Sequence, residues 1–211
     1  SRVPKQYYRN YLTQSKIILC FIQFIRRICV LFPKLSRDSK GRTLYSHIKK
    51  ELLMTISINE SFPNHELRVL INGEIQNINS DEYFANKKIV LVGVPGAFTP
   101  TCHLSHLPGY IENLQNFKNK DYSVVFLAVN DPFVIKSWSE ASNADGIDML
   151  SDGNCELTKM LGLTMDGSGF GLGNRCKRFA MIVNNGVIQS LDIEEAGALD
   201  VSSAESQLAK I

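Results

Sequence analysis

The sequence contains few cysteines, and their spacing does not join them in a common site. Its 211 residues include five, Cys20, Cys29, Cys102, Cys155 and Cys176, without a Cys-x-x-Cys pair or a Cys/His spacing suited to zinc. A disulfide framework is not expected in a chain long enough to bury a large core. Any chemistry at cysteine would therefore involve individual thiols.

Acidic residues are almost missing from the first 50 positions. This segment has 12 Lys and Arg against one acid, Asp38, whereas residues 51–211 have 11 against 20, so the two parts carry net charges of +11 and −9. Such asymmetry indicates a tail with a separate role rather than a nucleic-acid-binding face of the folded domain. We therefore predict a basic targeting leader over residues 1–50, one folded domain over residues 51–211, and no nucleic-acid partner.

A hydrophobic run long enough to form a stable membrane span is also missing. Eight of the nine residues of IILCFIQFI (17–25) are apolar, but Arg26 and Arg27 interrupt the run and Pro33 ends it. An apolar stretch behind basic residues, followed by a segment rich in Lys, Arg and Ser, is typical of a bipartite targeting leader that is removed. An amphipathic helix that packs on the domain or lies on a membrane is the alternative.

From about Glu51 onward, apolar runs that fit strands alternate with helical patterns. The Asn72-Gly73 turn predicts a hairpin, because both residues tolerate the positive φ that a tight turn requires. Asp131-Pro132 predicts the start of a helix, and Ser202 with Glu205 predicts a capping box. Strands are predicted over 67–71, 74–78, 88–94, 122–129, 147–150, 178–183 and 187–193 (an antiparallel edge), and helices over 103–117 (kinked at Pro108), 132–143, 156–163 and the C-terminal segment. This order predicts an α/β domain with a thioredoxin-like fold and an N-terminal β-hairpin extension.

Cys102 is predicted to lie where a buried strand ends and a helix begins. The strand ends at Val94 and the helix begins near Thr101, so the thiol would face unpaired N–H groups and the positive end of the helix dipole, which favour the thiolate. Pro95 would stiffen the approach, and the Thr99 hydroxyl could donate to or accept from a ligand. A buried, inert cysteine is the alternative.

The segment PGAFTPTC (95–102) has the spacing Pro-x-x-x-Thr-x-x-Cys and resembles the active-site signature of peroxiredoxins. HLPG (106–109), LAVNDPFV (127–134) and GNRCKRFAMIV (173–183) extend the similarity to the type-five branch over about residues 65–211. The resemblance implies a thiol peroxidase in which Cys102 attacks the peroxide O–O bond and becomes a sulfenic acid. Thr99 would hydrogen-bond the peroxide, and Pro95 would shield the pocket.

The same resemblance assigns a catalytic guanidinium to Arg178 of KRF. An arginine stays charged at neutral pH, so it can hold the thiolate and stabilise charge on the departing oxygen. A solvated surface arginine is the alternative, and Arg175 and Lys177 are better placed for it.

A resolving cysteine is expected in this branch before the last helix, but Val201 stands there and no cysteine follows Cys176. The departure predicts a one-cysteine mechanism without a bound cofactor, in which an external thiol, glutathione with glutaredoxin or else thioredoxin, is the reductant. Cys176 could instead resolve the sulfenic acid or accept glutathione, if its strand extends back to it and it shares a side with Arg178. Cys155, at the start of a helix, is interpreted as a residue that only fills space in the core or at the surface.

The family also implies a homodimer through the face around the cysteine helix. The leader resembles those of apicoplast or plastid proteins, with the mitochondrion next and the cytosol if the leader is not used.

Three other functions compete with that of a peroxidase. A Cys-His protease would use His103 or His106, but no orienting Asn or Asp follows in a recognisable setting. GSGFGLGN (167–174) has no preceding strand and no GK[ST] end, so we interpret it as a flexible surface loop near the active site rather than a phosphate loop. The rival of a different class is a non-enzymatic thioredoxin-fold redox relay or chaperone module.

Overall fold

The computed structural model describes residues 55–211. The leader predicted over residues 1–50 lies outside the described residues. The β-strands are β1 (Glu66–Ile71), β2 (Glu74–Asn79), β3 (Lys88–Val94), β4 (Ser123–Ala128), β5 (Asp148–Ser151), β6 (Thr164–Asp166), β7 (Asn174–Cys176), β8 (Phe179–Asn184) and β9 (Val187–Ile193). The α-helices are α1 (Ser80–Phe84), α2 (Leu107–Glu112), α3 (Leu114–Asn119), α4 (Pro132–Ala141), α5 (Glu156–Met160) and α6 (Ala204–Leu208), with a π-helical turn over Cys102–His106 and a 3₁₀ turn over Ser168–Phe170.

A seven-stranded mixed sheet organises the domain, in the order β2-β1-β5-β4-β3-β8-β9. Strands β3, β4 and β5 run parallel, whereas the pairs at both sides are antiparallel. The predicted hairpin is confirmed: Ile71 pairs with Glu74 across Asn72 and Gly73, whose φ angles are +50° and +82°. This confirms the α/β thioredoxin-like fold with its hairpin extension, and β9 as an antiparallel edge.

Two hydrophobic clusters cover the two faces of the sheet. Ile89 and Leu91 of β3 belong to one cluster and Val90 and Val92 to the other, because successive side chains of a strand point to opposite faces. Leu157 and Leu161, in and just after α5, belong to the first cluster. The second contains Cys102 together with Leu107, Tyr110, Phe117 and Trp138 from the helices that follow. The thiol is therefore part of a packed layer between the sheet and its helices.

Gly93 fixes the close approach of β8 to the end of β3. It pairs with Phe179, the first residue of β8, and a Cβ at position 93 would lie 2.0 Å from Cε1 of the Phe179 ring. Any larger side chain would displace that ring. The register places Arg178, which precedes β8, at the edge of the sheet where β3 ends.

The helical segment after β3 differs from the predicted single kinked helix. Helical geometry begins at Pro100, passes through the π-helical turn, and continues as α2 and α3. In the π-helical turn the Leu107 N–H donates to the Cys102 carbonyl. Pro108 follows directly and lacks the N–H that a regular α-helical bond would need, which explains the wider turn at this point.

Two other local predictions are wrong. The N-cap of α6 is Ser203, which accepts from the Ser206 N–H at 3.2 Å, so Ser202 and Glu205 do not form the predicted capping box. The Gly-rich segment 167–174 is not a loop without a preceding strand, because β6 precedes it and pairs antiparallel with β7.

Candidate active site

The sheet topology brings three separate segments together at one edge. Strands β3 and β4 are parallel, so the loops after Val94 and Ala128 leave the sheet on the same side. Strand β8 is antiparallel to β3, and its first residue lies opposite Gly93. The loop that leads to Cys102, the loop after β4 and the residue before β8 therefore meet at this edge.

Cys102 lies in the first turn of the helical segment, as the sequence predicts. Its side chain is fully buried. The turn is closed by the Thr99 hydroxyl, which donates to the Gly96 carbonyl at 2.8 Å, and by the His103 N–H, which donates to the Thr99 carbonyl at 2.9 Å. Because the Thr99 hydroxyl oxygen keeps lone pairs, it can accept a further hydrogen bond from a substrate.

The loop between β3 and Cys102 is held in an unusual conformation. Phe98 has a φ of +60°, which costs roughly 1–2 kcal/mol for a residue other than glycine. Asn130, from the loop after β4, accepts from the Ala97 N–H through its side-chain oxygen at 2.9 Å. The Phe98 ring packs against His103, with ring centroids 5.5 Å apart. Half-buried Pro95 begins this loop, so the backbone around the thiol is fixed from several sides.

Arg178 contacts the helix of Cys102 through His106. Its Nη1 donates to His106 Nδ1 at 2.8 Å, and His106 Nε2 lies 2.8 Å from the Ser202 carbonyl oxygen. A guanidinium can only donate, so Nδ1 carries the lone pair and the proton is on Nε2. His106 follows Cys102 by four residues, about one turn of the helix. The arginine is thereby attached to the turn that carries the thiol.

Burial keeps the His106 ring neutral. Desolvation is the main cause that lowers the pKa of His106 from 6.5 to about 4, and the charge of Arg178 acts in the same direction. The bond to the Ser202 carbonyl and the charge of Glu194 oppose the shift without cancelling it. At neutral pH the ring therefore accepts from Arg178 rather than repelling it.

The low pKa of His106 predicts acid sensitivity of the fold. Because this pKa is about 4 in the folded protein and 6.5 in an unperturbed histidine, the unfolded chain binds more protons as the pH falls below 7. We expect this side chain to lower the free energy of unfolding by about 2 kcal/mol as the pH falls from about 7 to 5. Over this range Glu194, whose pKa is lowered, and Tyr110, whose pKa is raised, keep their charge states. Urea unfolding at both pH values, in the wild type and His106→Gln, measures the effect. Equal losses in the two proteins would contradict it.

Arg175 is not the solvated surface arginine that the sequence predicts. It is half-buried, its Nε donates to the Leu172 carbonyl at 2.9 Å, and its Nη1 donates to the Val129 carbonyl at 2.9 Å. A Cβ on Gly96 would lie 3.2 Å from the same Nη1. Arg175 thus joins the β6–β7 hairpin to the loops around the site.

The other two described cysteines belong to elements other than the helical segment of Cys102. Cys176 belongs to β7 in the separate two-stranded sheet, so the strand of Arg178 does not extend back to it. It is fully buried, and burial raises the pKa of its thiol. Cys155 is the N-cap residue of α5, and burial followed by the charge of Asp152 raises its pKa. Both environments disfavour the reactive thiolate.

The two histidines near the thiol are not arranged as in a cysteine protease. His103 Nδ1 accepts from the Trp138 indole N–H at 3.1 Å, and His106 Nδ1 accepts from Arg178. A catalytic histidine of a protease takes the proton of its nucleophile with one ring nitrogen, whereas both ring nitrogens of His106 are already bonded, to Arg178 and to the Ser202 carbonyl. The geometry therefore does not support a cysteine protease.

Sequence reasoning missed the contribution of Asn130 and the partner of His106. Asn130 could have been found, because it follows β4 just as the Cys102 loop follows the parallel strand β3. The bond between His106 and Arg178 joins residues 72 positions apart, and it becomes visible only once the register of β8 is known.

The structure also bears on metals and membranes. Within residues 55–211, no group of three or more His, Cys, Asp or Glu side chains could hold a metal ion. None of the helices in that same part of the chain has the length and apolar character needed to cross a bilayer.

Comparisons with known proteins agree with this geometry. Residues 58–208 match the Redoxin family. The chain is 40% identical over 164 residues to "Peroxiredoxin-2E-2, chloroplastic" of Oryza sativa subsp. japonica, covering 74% of this chain and 73% of the relative. Two solved structures are similar: reduced Prx3 of Vibrio vulnificus in complex with H₂O₂ (45% identity, TM-score 0.70, 74% and 100% of the two chains), and the Plasmodium falciparum antioxidant protein, a 1-Cys peroxiredoxin (30% identity, TM-score 0.68, 72% and 96%).

The family match spans well over half of the chain, and the matched segment includes the strained loop, the helix of Cys102 and the arginine before β8. The chain belongs to the peroxiredoxin family, the thiol-dependent peroxidases.

Proposed function

We propose that this thiol peroxidase is a one-cysteine enzyme of the type-five branch, with Cys102 as its peroxidatic cysteine. The supporting observation is the position of Cys102: among the cysteines that the structure describes, it alone lies in the first turn of a helix that an arginine contacts. Thr99 and Arg178 are the proposed catalytic partners, and Pro95 shields the pocket.

The proposed reaction begins with attack of the Cys102 thiolate on one oxygen of the peroxide. An S–O bond forms and the O–O bond breaks, so the sulfur is oxidised to a sulfenic acid. The other oxygen leaves as water or an alcohol after taking up a proton, or as part of nitrite when the substrate is peroxynitrite. The Thr99 hydroxyl accepts from the peroxide, and the Arg178 guanidinium stabilises charge on the departing oxygen.

An external thiol then restores the enzyme. Its thiolate attacks the sulfenic sulfur, which forms a mixed disulfide and releases water, and a second thiol reduces that disulfide by exchange. The absence of a cysteine among residues 177–211 and the burial of Cys155 and Cys176 support an external rather than an internal partner. Glutathione with glutaredoxin is the proposed reductant, with thioredoxin as the alternative.

The proposed substrates are hydrogen peroxide, alkyl hydroperoxides and peroxynitrite. The similar Vibrio enzyme was solved with H₂O₂, which supports the first of these. The similar Plasmodium protein is described as a 1-Cys peroxiredoxin, which supports the one-cysteine mechanism.

Location and assembly are proposed on separate grounds. The basic leader and the chloroplastic rice relative support a plastid-type organelle, with the apicoplast as the specific proposal and the mitochondrion next. A homodimer through the face around the cysteine helix is supported by apolar side chains at its surface, since Leu104 is 71% exposed and Phe98 is 45% exposed.

A steady-state assay of the full chain tests the proposed function. We expect catalytic consumption of hydrogen peroxide with glutathione and glutaredoxin, and slower consumption when thioredoxin and its reductase replace them. Faster turnover with thioredoxin would reject the proposed reductant. Oxidation of the thiol without turnover under either system would instead favour the redox-relay module.

A further inference from the structure

We propose that His106 is a positioning residue for Arg178, and that the segment between β9 and α6 holds the histidine in place. The inference rests on the proposed catalytic role of Arg178. Four hydrogen-bonded steps carry it, and they form a ring that begins and ends at the arginine.

The first step is the bond between the guanidinium and the histidine ring. Arg178 Nη1 donates to His106 Nδ1 at 2.8 Å, which uses one of the five N–H donors of the arginine and leaves the others for the thiolate and the peroxide. The ring is packed between Tyr110 and Phe126, with centroid distances of 5.6 and 5.8 Å. The acceptor is therefore fixed in place rather than mobile.

The second step fixes the tautomer of the ring. The Ser202 carbonyl accepts from His106 Nε2 at 2.8 Å, which keeps the proton on that nitrogen and the lone pair on Nδ1. The same carbonyl accepts from the Tyr110 hydroxyl at 2.9 Å. A proton on Nδ1 would remove the acceptor that Arg178 needs.

The third and fourth steps hold Ser202 and return to the arginine. Glu194 Oε1 accepts from the Ser202 N–H at 2.7 Å, from its hydroxyl at 2.8 Å and from the Asp200 N–H at 2.7 Å. The Glu194 N–H donates to the Arg178 carbonyl at 2.9 Å. The backbone of Arg178 thus holds Glu194. Glu194 in turn holds Ser202, and Ser202 holds His106, which orients the Arg178 side chain.

The segment that contains Val201 consequently has a structural role here. Gln207 is fully buried, and its amide donates to the Val201 carbonyl at 2.7 Å and to Asp192 at 3.1 Å. These bonds hold the segment against the domain next to Ser202. The position at which related enzymes place a resolving thiol is therefore part of the support for the arginine.

Two amide variants of His106 separate its two hydrogen bonds. His106→Asn can place an acceptor near the position of Nδ1 and keep the bond from Arg178, whereas His106→Gln can place a donor near Nε2 and keep only the bond to Ser202. We expect His106→Gln to lower the second-order rate constant of Cys102 with hydrogen peroxide by about 10- to 100-fold, and His106→Asn to recover about ten-fold of that loss. Tyr83→Phe, which removes a buried bond to Asp148 in the other cluster, should change the rate by less than about two-fold.

If the wild-type protein reacts with peroxide and the two His106 variants react at equal rates, the inference is overturned. A spectroscopic measurement keeps the test independent of activity and of the folding of the variants. Ring-nitrogen NMR of the wild-type protein at neutral pH should show the proton of His106 on Nε2, and Arg178→Met should change the Nδ1 resonance. A wild-type ring with its proton on Nδ1 would overturn the proposed bond, whereas the correct tautomer in a protein that does not consume peroxide would reject only the proposed function.

Discussion

Replacing Cys102 with serine should abolish peroxide consumption. The hydroxyl of serine is not ionised at neutral pH and is a poor nucleophile toward an O–O bond, so the replaced side chain cannot attack the peroxide. Stopped-flow measurement of peroxide consumption by the full chain, with glutathione and glutaredoxin present, measures the loss.

Cys155→Ser and Cys176→Ser are the matched controls for this substitution. Both thiols are buried in environments that raise their pKa, so neither is expected to react with peroxide at neutral pH. We expect both variants to keep most of the wild-type rate. Appreciable turnover by Cys102→Ser would show that another cysteine is peroxidatic.

Replacing Arg178 with methionine should lower the rate of peroxide reduction by about 10²- to 10³-fold, or about 3 to 4 kcal/mol, by analogy with the loss of one oxyanion donor. Methionine keeps most of the side-chain volume but removes both the charge and the bond to His106. Stopped-flow measurement of peroxide consumption compares the variant with the wild type.

The control for Arg178→Met must be an arginine outside the site. Arg175 does not serve, because its bonds to the Leu172 and Val129 carbonyls join the hairpin to the site. Arg68 is exposed on β1, on the far side of β5 and β4 from the site. Arg68→Met should leave the rate unchanged. Equal rates for Arg178→Met and Arg68→Met would refute the catalytic role of Arg178.

The features that could be predicted from the sequence depend on local patterns. The continuous apolar run of β3 and the alternation in β9 gave the bounds of both strands, Lys88–Val94 and Val187–Ile193. The Asn72-Gly73 turn and the Asp131 cap were predicted because the required chemistry lies within a few adjacent residues. The same holds for the start of the helical segment next to Cys102.

The features that could not be predicted depend on contacts between distant segments. Ser202 fits a capping pattern, but Glu194 binds its N–H and hydroxyl, so the cap moves to Ser203. Arg175 fits a surface pattern, but the fold brings the Val129 carbonyl to it. In each case a tertiary hydrogen bond decided between alternatives that the local sequence leaves open.

The one-cysteine mechanism of Cys102 is tested most directly by mass spectrometry of the full chain after treatment with hydrogen peroxide and glutathione. The other two described thiols are buried and their pKa values are raised, so glutathione should attack the sulfenic acid and form a mixed disulfide. We predict a single glutathione per chain, located on Cys102 by peptide mapping. A disulfide between Cys102 and Cys155 or Cys176 as the main turnover species would contradict the one-cysteine mechanism and identify a resolving residue within the chain.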